Sequence, residues 1–298
     1  MFDFRLKVFY TVAKRRSFTK AANDLMISQP AVTKHIQEIE SHYQTKLFAR
    51  DGMKISLTEA GELLNSYAEE IFSVYRNLDF DMHALKAKVN GSLKVGASTT
   101  ISQYVLPPLL AAFKNKVSSL YLDVVSENTT VIENLLLTKK IDIGLIEGNS
   151  KNPLIKYTNF IEDEIVLVCG SNNPLINKDS ITPSELKELP LLFRETGSGT
   201  LDVVETNLKE IGIALNDLNH EMCLSSTESI KMYLMHSNSV AFLSIHAVLK
   251  ELKNNELRIV EVEGLDIRRT FSIVGRQGQE SALEEIFIRF LKSHNLKL

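Results

Sequence analysis

Residues 17–40, SFTKAANDLMISQPAVTKHIQEIE, leave little choice in how they fold. Ser17 can cap a helix running through Leu25. The small Ala21 and Ala22 inside it let another helix cross closely. Met26 and Ile27 make the turn. Ser28 is a good N-cap, and Pro30 falls in the first turn of the next helix, where a missing N–H costs little. The spacing predicts that this helix buries Val32, Ile36, Ile39 and Tyr43 and shows Gln29, Pro30, Thr33, Lys34 and Gln37. Upstream, Phe4, Val8, Phe9 and Val12 sit at helical spacing over residues 4–15. Two short crossed helices with a polar, uncrowded second member make a helix-turn-helix. Gln can pair bidentately with adenine, Thr can donate to a base or touch a thymine methyl, and Lys34 suits a phosphate. The plainer alternative is a helical hairpin with a solvated polar face.

The next segment, LFARDGMKISLTEAG, places Asp51-Gly52 as a turn between two short extended pieces. That is a wing, and Arg50 and Lys54 on it can reach the DNA backbone or minor groove. Residues 1–60 carry ten Lys and Arg against six Asp and Glu, a net +4 within a chain of net −3. A basic head on an acidic body points to a polyanion partner for the head alone, although such an imbalance can also arise by chance. Residues 1–61 resemble the DNA-binding domain of LysR-type transcriptional regulators through SFTKAA, SQPAVTKHIQEIE, KLFAR and LTEAG. Gln44 stands where that family usually has glycine. The expected partner is a double-stranded DNA operator, with Ser28, Gln29, Pro30, Thr33, Lys34, Gln37, Arg50 and Lys54 as the DNA-binding residues.

Thr58 opens a further helix, with Glu59 favouring its N-terminus. Leu64, Tyr67, Ile71, Val74, Leu78 and Leu85 follow at steps of a heptad seam, interrupted at Asp81. Through Lys88 this helix would be roughly 45 Å long. It can pack on its own domain or pair with a second copy. The resemblance implies a dimerising linker, contacting through Leu64, Tyr67, Ile71, Val74 and Leu78, in a homodimer or homotetramer. Asn90-Gly91-Ser92 ends it. The expected domains are 1–58, a winged helix-turn-helix; 59–90, the linker; and 91–298, an effector-binding body.

From Leu93 strands and helices alternate, so the body is α/β with parallel strands expected. SLKVGAS, LYLDVV, IDIGLIEG, IVLVCG, PLLFRE, SVAFLSI and TFSIVGR read as strands, and the last helix runs from about Ser281 to His294. The resemblance implies the two-lobed fold of periplasmic solute-binding proteins (type 2). The chain would cross between lobes near Ile161–Glu164 and Val262–Ile267, giving lobes of about 91–162 plus 267–298, and about 163–266. In such folds ligands lie beyond the carboxyl ends of strands, near helix N-termini. Ser98, Thr99, Thr100, Gly197, Ser198, Gly199, Thr200 and Thr227 are therefore the candidate effector-binding residues, offering hydroxyls and bare backbone N–H groups to a small anion. Helix capping is the simpler role for each hydroxyl. The RExGSGT pattern at 194–200 resembles the CbbR- and CysL-like branch of the family, and Ser237 and Ser239 stand where the family often has glycines.

Other classes fit less well. Gly197-Ser-Gly199 after a strand is a partial dinucleotide fingerprint, because Asp202 stands where its third glycine belongs. Gly96-Ala-Ser98-Thr-Thr100 is no nucleophile elbow. His35 and His42 lie seven apart on the DNA-proximal helix, and His236 and His246 have no carboxylate or cysteine at ligand spacing in sequence. Cys169 and Cys223 are far apart, imply no disulfide framework, and read as free buried thiols rather than a redox pair. No signal peptide and no apolar run of bilayer length is read, so a cytoplasmic protein with no membrane partner is expected. A DNA-architectural protein would not need 200 further residues. The sequence therefore points to a ligand-responsive transcriptional regulator, not an enzyme, with no cofactor or metal, acting on RNA polymerase.

Overall fold

The computed structural model describes residues 3–51, 54–86, 91–178, 180–278 and 280–294. They form two compact units, Met1–Met82 and His83–Leu298.

The first unit runs α1 (Phe4–Arg15), α2 (Phe18–Leu25), α3 (Gln29–Tyr43), β1 (Phe48–Asp51), β2 (Lys54–Leu57) and α4 (Glu59–Lys86), whose last residues belong to the second unit. Asp3, Ser17 and Ser28 each cap a helix, accepting from the backbone N–H of Arg5, Lys20 and Ala31. Val8, Phe9, Val12, Ala21, Ala22, Val32, Ile36, Ile39 and Leu47 form the core. Tyr43 does not join it: the side chain is 57% exposed and lies edge-on to His42. The helix ends there, and Leu47 fills the core position instead. Phe4 is also largely exposed, its ring edge-on to His35.

The first three helices all end on a non-glycine residue in the left-handed region: Arg16 (φ 46°), Met26 (φ 54°) and Gln44 (φ 50°). That region costs an L-residue roughly 1–2 kcal/mol. Gln44 keeps the closing geometry that glycine would supply, its N–H donating to the Glu40 carbonyl. The hairpin is antiparallel, pairing Phe48 with Leu57 and Asp51 with Lys54. Of the expected wing turn, Gly52 lies outside the described residues, as do the side chains of Arg50, Asp51 and Lys54.

Thr58 ties α4 to the head. Its N–H donates to the Leu47 carbonyl (3.0 Å), and its hydroxyl donates to the Lys46 carbonyl (2.6 Å) and accepts from the Gly61 N–H (3.1 Å). A Cβ on Gly61 would lie 2.1 Å from the Leu47 carbonyl oxygen, which explains the glycine of LTEAG as a close approach. Leu64, expected on the dimer seam, instead packs against the head core. Ala68 and Phe72 continue this inward stripe, Phe72 tilted against Tyr10. The outward stripe is Leu63, Tyr67, Ile71, Val74, Leu78 and Met82, all exposed. Sequence spacing missed its two ends. The side chain of Leu85, and Lys88 altogether, lie outside the described residues.

The second unit begins with β3 (Gly91–Ser98), a π-helical turn (Ile101–Val105), α5 (Leu106–Lys116), β4 (Leu120–Glu127), α6 (Thr129–Leu137) and β5 (Ile143–Ile146). The long β6 (Ile155–Gly170) leads into β7 (Ser180–Ile181), α7 (Pro183–Glu188), β8 (Leu191–Phe193), α8 (Gly199–Glu210) and β9 (His220–Cys223). Then come α9 (Thr227–Leu234), β10 (Val240–Ser244), α10 (Ile245–Lys253), β11 (Leu257–Ile259), β12 (Glu261–Val262), β13 (Ile267–Arg276) and α11 (Ala282–Ser293).

The main sheet has the order β4-β3-β5-β13-β6-β10-β8-β9, with β11 also on β6. β3 pairs parallel with β4 and β5, and β8 parallel with β9 and β10. Each set rests on helical crossovers, which force parallel neighbours. β13 and β6 run antiparallel to each other and to β5 and β10. The sheet is therefore mixed, not simply parallel, because the two strands that carry the chain between lobes run against their neighbours. Along β6 the residues from Ile165 on divide by period two: Ile165, Leu167 and Cys169 enter one core cluster of lobe 2, Val166 and Val168 the other. Lobe 1 buries Ile132, Leu136, Ile146 and Val274, and stacks Phe113 edge-on to Phe287 and Phe290. Cys169 is buried, which pushes its thiol pKa up, whereas Cys223 is exposed on β9 rather than buried as expected.

Gly61→Ala should cost the head about 1–3 kcal/mol through overpacking. Gln44→Gly should gain it up to about 1 kcal/mol, the relief at φ 50° exceeding the extra unfolded-chain entropy. Amide exchange protection over residues 4–61 measures both. Unchanged protection in Gly61→Ala would contradict the close approach to Leu47.

Candidate functional sites

On α3, Ser28, Gln29, Pro30, Lys34 and Gln37 are exposed and Thr33 is half-buried. The Gln29 amide donates to the Thr33 hydroxyl (3.0 Å), which donates to the Gln29 carbonyl (3.2 Å). This pair holds both side chains against the first turn of the helix. Lys34 makes no ion pair among the described residues. Arg15 of α1 and Asp24 of α2 form an exposed ion pair at 2.6 Å. The head thus offers an ordered polar face at the start of a capped helix.

In the second unit the candidate hydroxyls divide. Ser98 ends β3, and Thr100 precedes the π-helical turn; both are buried in lobe 1. Thr99 turns back to the Glu127 carbonyl of its own lobe (3.5 Å). Ser198, Gly199 and Thr200 open α8 of lobe 2. Ser198 stands at the N-cap position, yet its hydroxyl caps nothing. The hydroxyls of Ser98 and Ser198 are buried without a partner among the described residues. Ser226, by contrast, is an ordinary cap, accepting from the Ser229 N–H, while Thr227 accepts from Arg194 (3.3 Å). Arg194 is otherwise held by the neighbouring Glu195 through two hydrogen bonds.

Thr100 and Thr200 meet on a residue that the sequence reading missed. The Glu147 carboxylate accepts from Thr100 at 3.2 Å and from Thr200 at 3.5 Å, and pairs with Arg269 at 2.7 Å. Arg269 lies on β13 opposite Asp163 of β6, and pairs with it at 2.7 Å. It also donates to Thr200 (3.1 Å). Asp163 accepts from Ser244 at 2.6 Å and lies 3.8 Å from the His246 imidazole. His246 therefore has a carboxylate neighbour in space that it lacks in sequence. All of these groups are buried. Two carboxylates and one guanidinium thus share the junction of the lobes, where the crossing strands pass. The signal for Arg269 was available: it falls on the inward positions of β13 with Ile267 and Phe271.

The lobes also meet beside this cluster. Thr130 N–H donates to the Gly197 carbonyl, and Asn149 N–H to Asp202. A Cβ on Gly199 would lie 2.1 Å from the Glu147 carbonyl oxygen, so Gly199 permits a close inter-lobe approach. On another flank Tyr104 of lobe 1 donates to Glu228 of lobe 2 (2.5 Å), and Lys231 sits over its ring while pairing with Glu228 and Glu251. Burial, and then the hydrogen bond to Glu228, hold the Tyr104 phenol pKa far above its ordinary value. A cavity of about 630 Å³ opens between the lobes, lined by Thr129, Glu147 and Asn149 on one side and Gly197, Ser198 and Asp202 on the other.

Comparison with known proteins agrees with this division. Residues 4–62 match the model for the bacterial regulatory helix-turn-helix protein, lysR family, and residues 86–295 that for the LysR substrate binding domain. The HTH-type transcriptional regulator CysL of Bacillus subtilis is 32% identical over 290 residues, covering 97% of this chain and 96% of that protein. The RuBisCO operon transcriptional regulator of Allochromatium vinosum is 29% identical over 275 residues, covering 92% and 90%. Among solved structures, the Synechocystis PCC6803 CcmR regulatory domain in complex with 2-PG shares the fold (TM-score 0.63, 23% identity, 68% of this chain and 97% of that one). Among the described residues no helix is long and apolar enough to cross a membrane. The chain belongs to the LysR-type transcriptional regulators, DNA-binding proteins that join a helix-turn-helix head to an effector-binding domain.

Proposed function

We propose that α3 reads operator DNA, that α4 pairs two copies of the chain, and that a small anionic effector binding between the lobes controls the outcome at RNA polymerase. In this reading the chain acts in the cytoplasm as a homodimer or homotetramer, by binding rather than by turnover. Its working parts are residues 1–58, 59–90 and 91–298, with the second lobe at about 163–266.

The observation that carries the DNA reading is the exposed, partly preorganised face of Gln29, Thr33, Lys34 and Gln37 at the start of a capped helix. Gln29 and Thr33 are assigned to base edges, Lys34 and Gln37 to the backbone, and Ser28 and Pro30 to the close approach of the helix terminus. Arg50 and Lys54 remain assigned to the wing's backbone contacts. For pairing, the support is the outward stripe of α4, six apolar side chains exposed in a row. Two recognition helices are then carried to the two half-sites of a dyad-symmetric operator. For the effector, the support is the convergence of buried hydroxyls from both lobes, with Ser98 and Ser198 unpartnered among the described residues. The CcmR domain of the same fold is complexed with 2-PG, a small anion.

Gln29→Ala should cost about 1–3 kcal/mol on the selected operator and blur one base position. Lys34→Ala should weaken all sequences alike and lower the salt slope by about one. Operator affinity across a salt series reads both, and no change in either variant would remove α3 as the reader.

Ile71→Glu with Leu78→Glu sets like charges against their copies. Sedimentation should show loss of the linker-mediated dimer, together with loss of tight operator binding. An unchanged oligomer would mean that the outward stripe of α4 pairs with nothing.

Ser198→Ala should leave operator binding without effector intact and reduce effector affinity about ten- to a hundredfold, the loss of one hydrogen bond to a charged ligand. A screen of metabolite anions by thermal shift on the wild-type chain identifies the ligand to titrate. A wild-type response in the variant would place the effector elsewhere.

A further inference from the structure

Tyr104 is a side chain of lobe 1 that packs into lobe 2. We propose that Tyr104 and Glu228 form a releasable clasp between the lobes, seated on the buried ammonium of Lys231, and that this clasp sets how readily the lobes part. It stands on the geometry of this flank alone and is independent of what binds in the cleft.

The π-helical turn Ile101–Val105 buries Ile101 and Val105 and closes with the Leu106 N–H donating to the Ile101 carbonyl. Such turns are rare and recur at functional positions. This one carries Tyr104, whose ring packs against the lobe 2 cluster that contains Ile230, Leu234, Ala247 and Val248. Among the described residues no other lobe 1 side chain joins that cluster. The Lys231 ammonium lies 4.9 Å from the ring centroid, where the ring face attracts a cation. The hydroxyl donates to Glu228 Oε1 at 2.5 Å.

Lys231 is fully engaged within lobe 2. Its three ammonium hydrogens have three acceptors: the Ala247 carbonyl at 3.0 Å, Glu251 at 2.9 Å and Glu228 at 2.8 Å. All three belong to α9 and α10, so they travel with Lys231 when the lobes separate. The Glu228 side chain is 54% exposed, and water can take the place of the phenol there. Burial pushes its carboxyl pKa up, but hydrogen bonds from Lys231 and Tyr104 outweigh that and hold it below the ordinary value, so at neutral pH it is a carboxylate ready to accept. Opening this flank therefore gives up one hydrogen bond and the ring contact, and orphans no buried charge. The Arg269 cluster differs: drawing Glu147 or Asp163 away from Arg269 would leave buried charges uncompensated. The lobes are thus joined by one costly contact and one that can be made and broken.

Two backbone amides report lobe parting directly. Thr130 N–H lies in the first turn of α6, where the helix supplies no acceptor, and donates to the Gly197 carbonyl of lobe 2 at 3.3 Å. Asn149 N–H donates to Asp202 of lobe 2 at 3.4 Å.

The test is amide hydrogen exchange on the full chain with no ligand added. Tyr104→Phe keeps the ring over Lys231 and removes only the hydroxyl. Thr130 and Asn149 should exchange about three- to tenfold faster, the loss of one hydrogen bond, while Leu145 in lobe 1 and Val168 and Leu243 in lobe 2 keep wild-type rates. Glu228→Ala removes the acceptor and should give a comparable gain, and the double variant should exceed neither single, since both break the same pair. Unchanged exchange at Thr130 and Asn149 in Tyr104→Phe would overturn the clasp. Acceleration shared equally by Val168 and Leu243 would also overturn it, by making Tyr104 a support of the lobe 2 core. Full additivity in the double variant would do the same by uncoupling the two groups.

Discussion

The effector domain depends on where Arg269 puts its charge. Its side chain is fully buried at the strand pair that carries the chain from one lobe to the other, with Asp163 on one side and Glu147 on the other. Burying three charges is expensive, and a buried ion cluster is weak support for stability compared with well-packed apolar side chains. It is strong support for position, since breaking one partner leaves the others uncompensated. The cluster therefore sets one spacing between β13, β6, the end of β5 and the start of α8. Thr100 and Thr200 are drawn to it from opposite lobes, and Gly199 has no side chain because α8 must start on the Glu147 backbone.

The head is built differently. Its order comes from short-range contacts: three capped helices, an alanine-mediated crossing, and the Thr58 knot that docks α4 on Leu47. These are the contacts that a local pattern encodes. The helix boundaries of residues 4–40 and the inward faces from Val8 on could accordingly be read directly, down to Ser17 and Ser28 as N-caps. The errors there fall at element ends. Tyr43 has helical spacing but stands where the helix stops, and Leu64 has seam spacing but lies within reach of the head core. A periodic pattern gives a face; it does not say which of two neighbours the face meets.

The body was legible as alternating α/β, because its strands from Ile165 to Gly170 and from Val240 to Ser244 are continuous apolar runs, whereas the two lobes came from the family resemblance. The antiparallel crossing was not, since strand direction follows from connections rather than from composition. The polar groups at the lobe junction were half legible. Hydroxyls after strands mark helix starts, which led to Ser98, Thr100, Ser198 and Thr200. Glu147, Asp163 and Arg269 were missed because their pairing is long-range, 106 residues separating Asp163 from Arg269. Arg269 alone carried a local mark, its inward position between Ile267 and Phe271 on β13. Cys223 fails for a related reason: cysteine is usually buried, but an edge strand has an open face.

A regulator of this kind needs its two units to sense each other, and linkage makes that reciprocal: a cleft that shifts DNA affinity is itself shifted by DNA. The most direct measurement needs no knowledge of the effector. DNA selected by the full chain from a random library is added, and amide hydrogen exchange is followed across the whole chain. Coupling predicts altered protection at residues 147–149 and 197–200 as well as at 28–37. Protection confined to the head, with the cleft amides unchanged, would contradict a cleft that controls DNA binding.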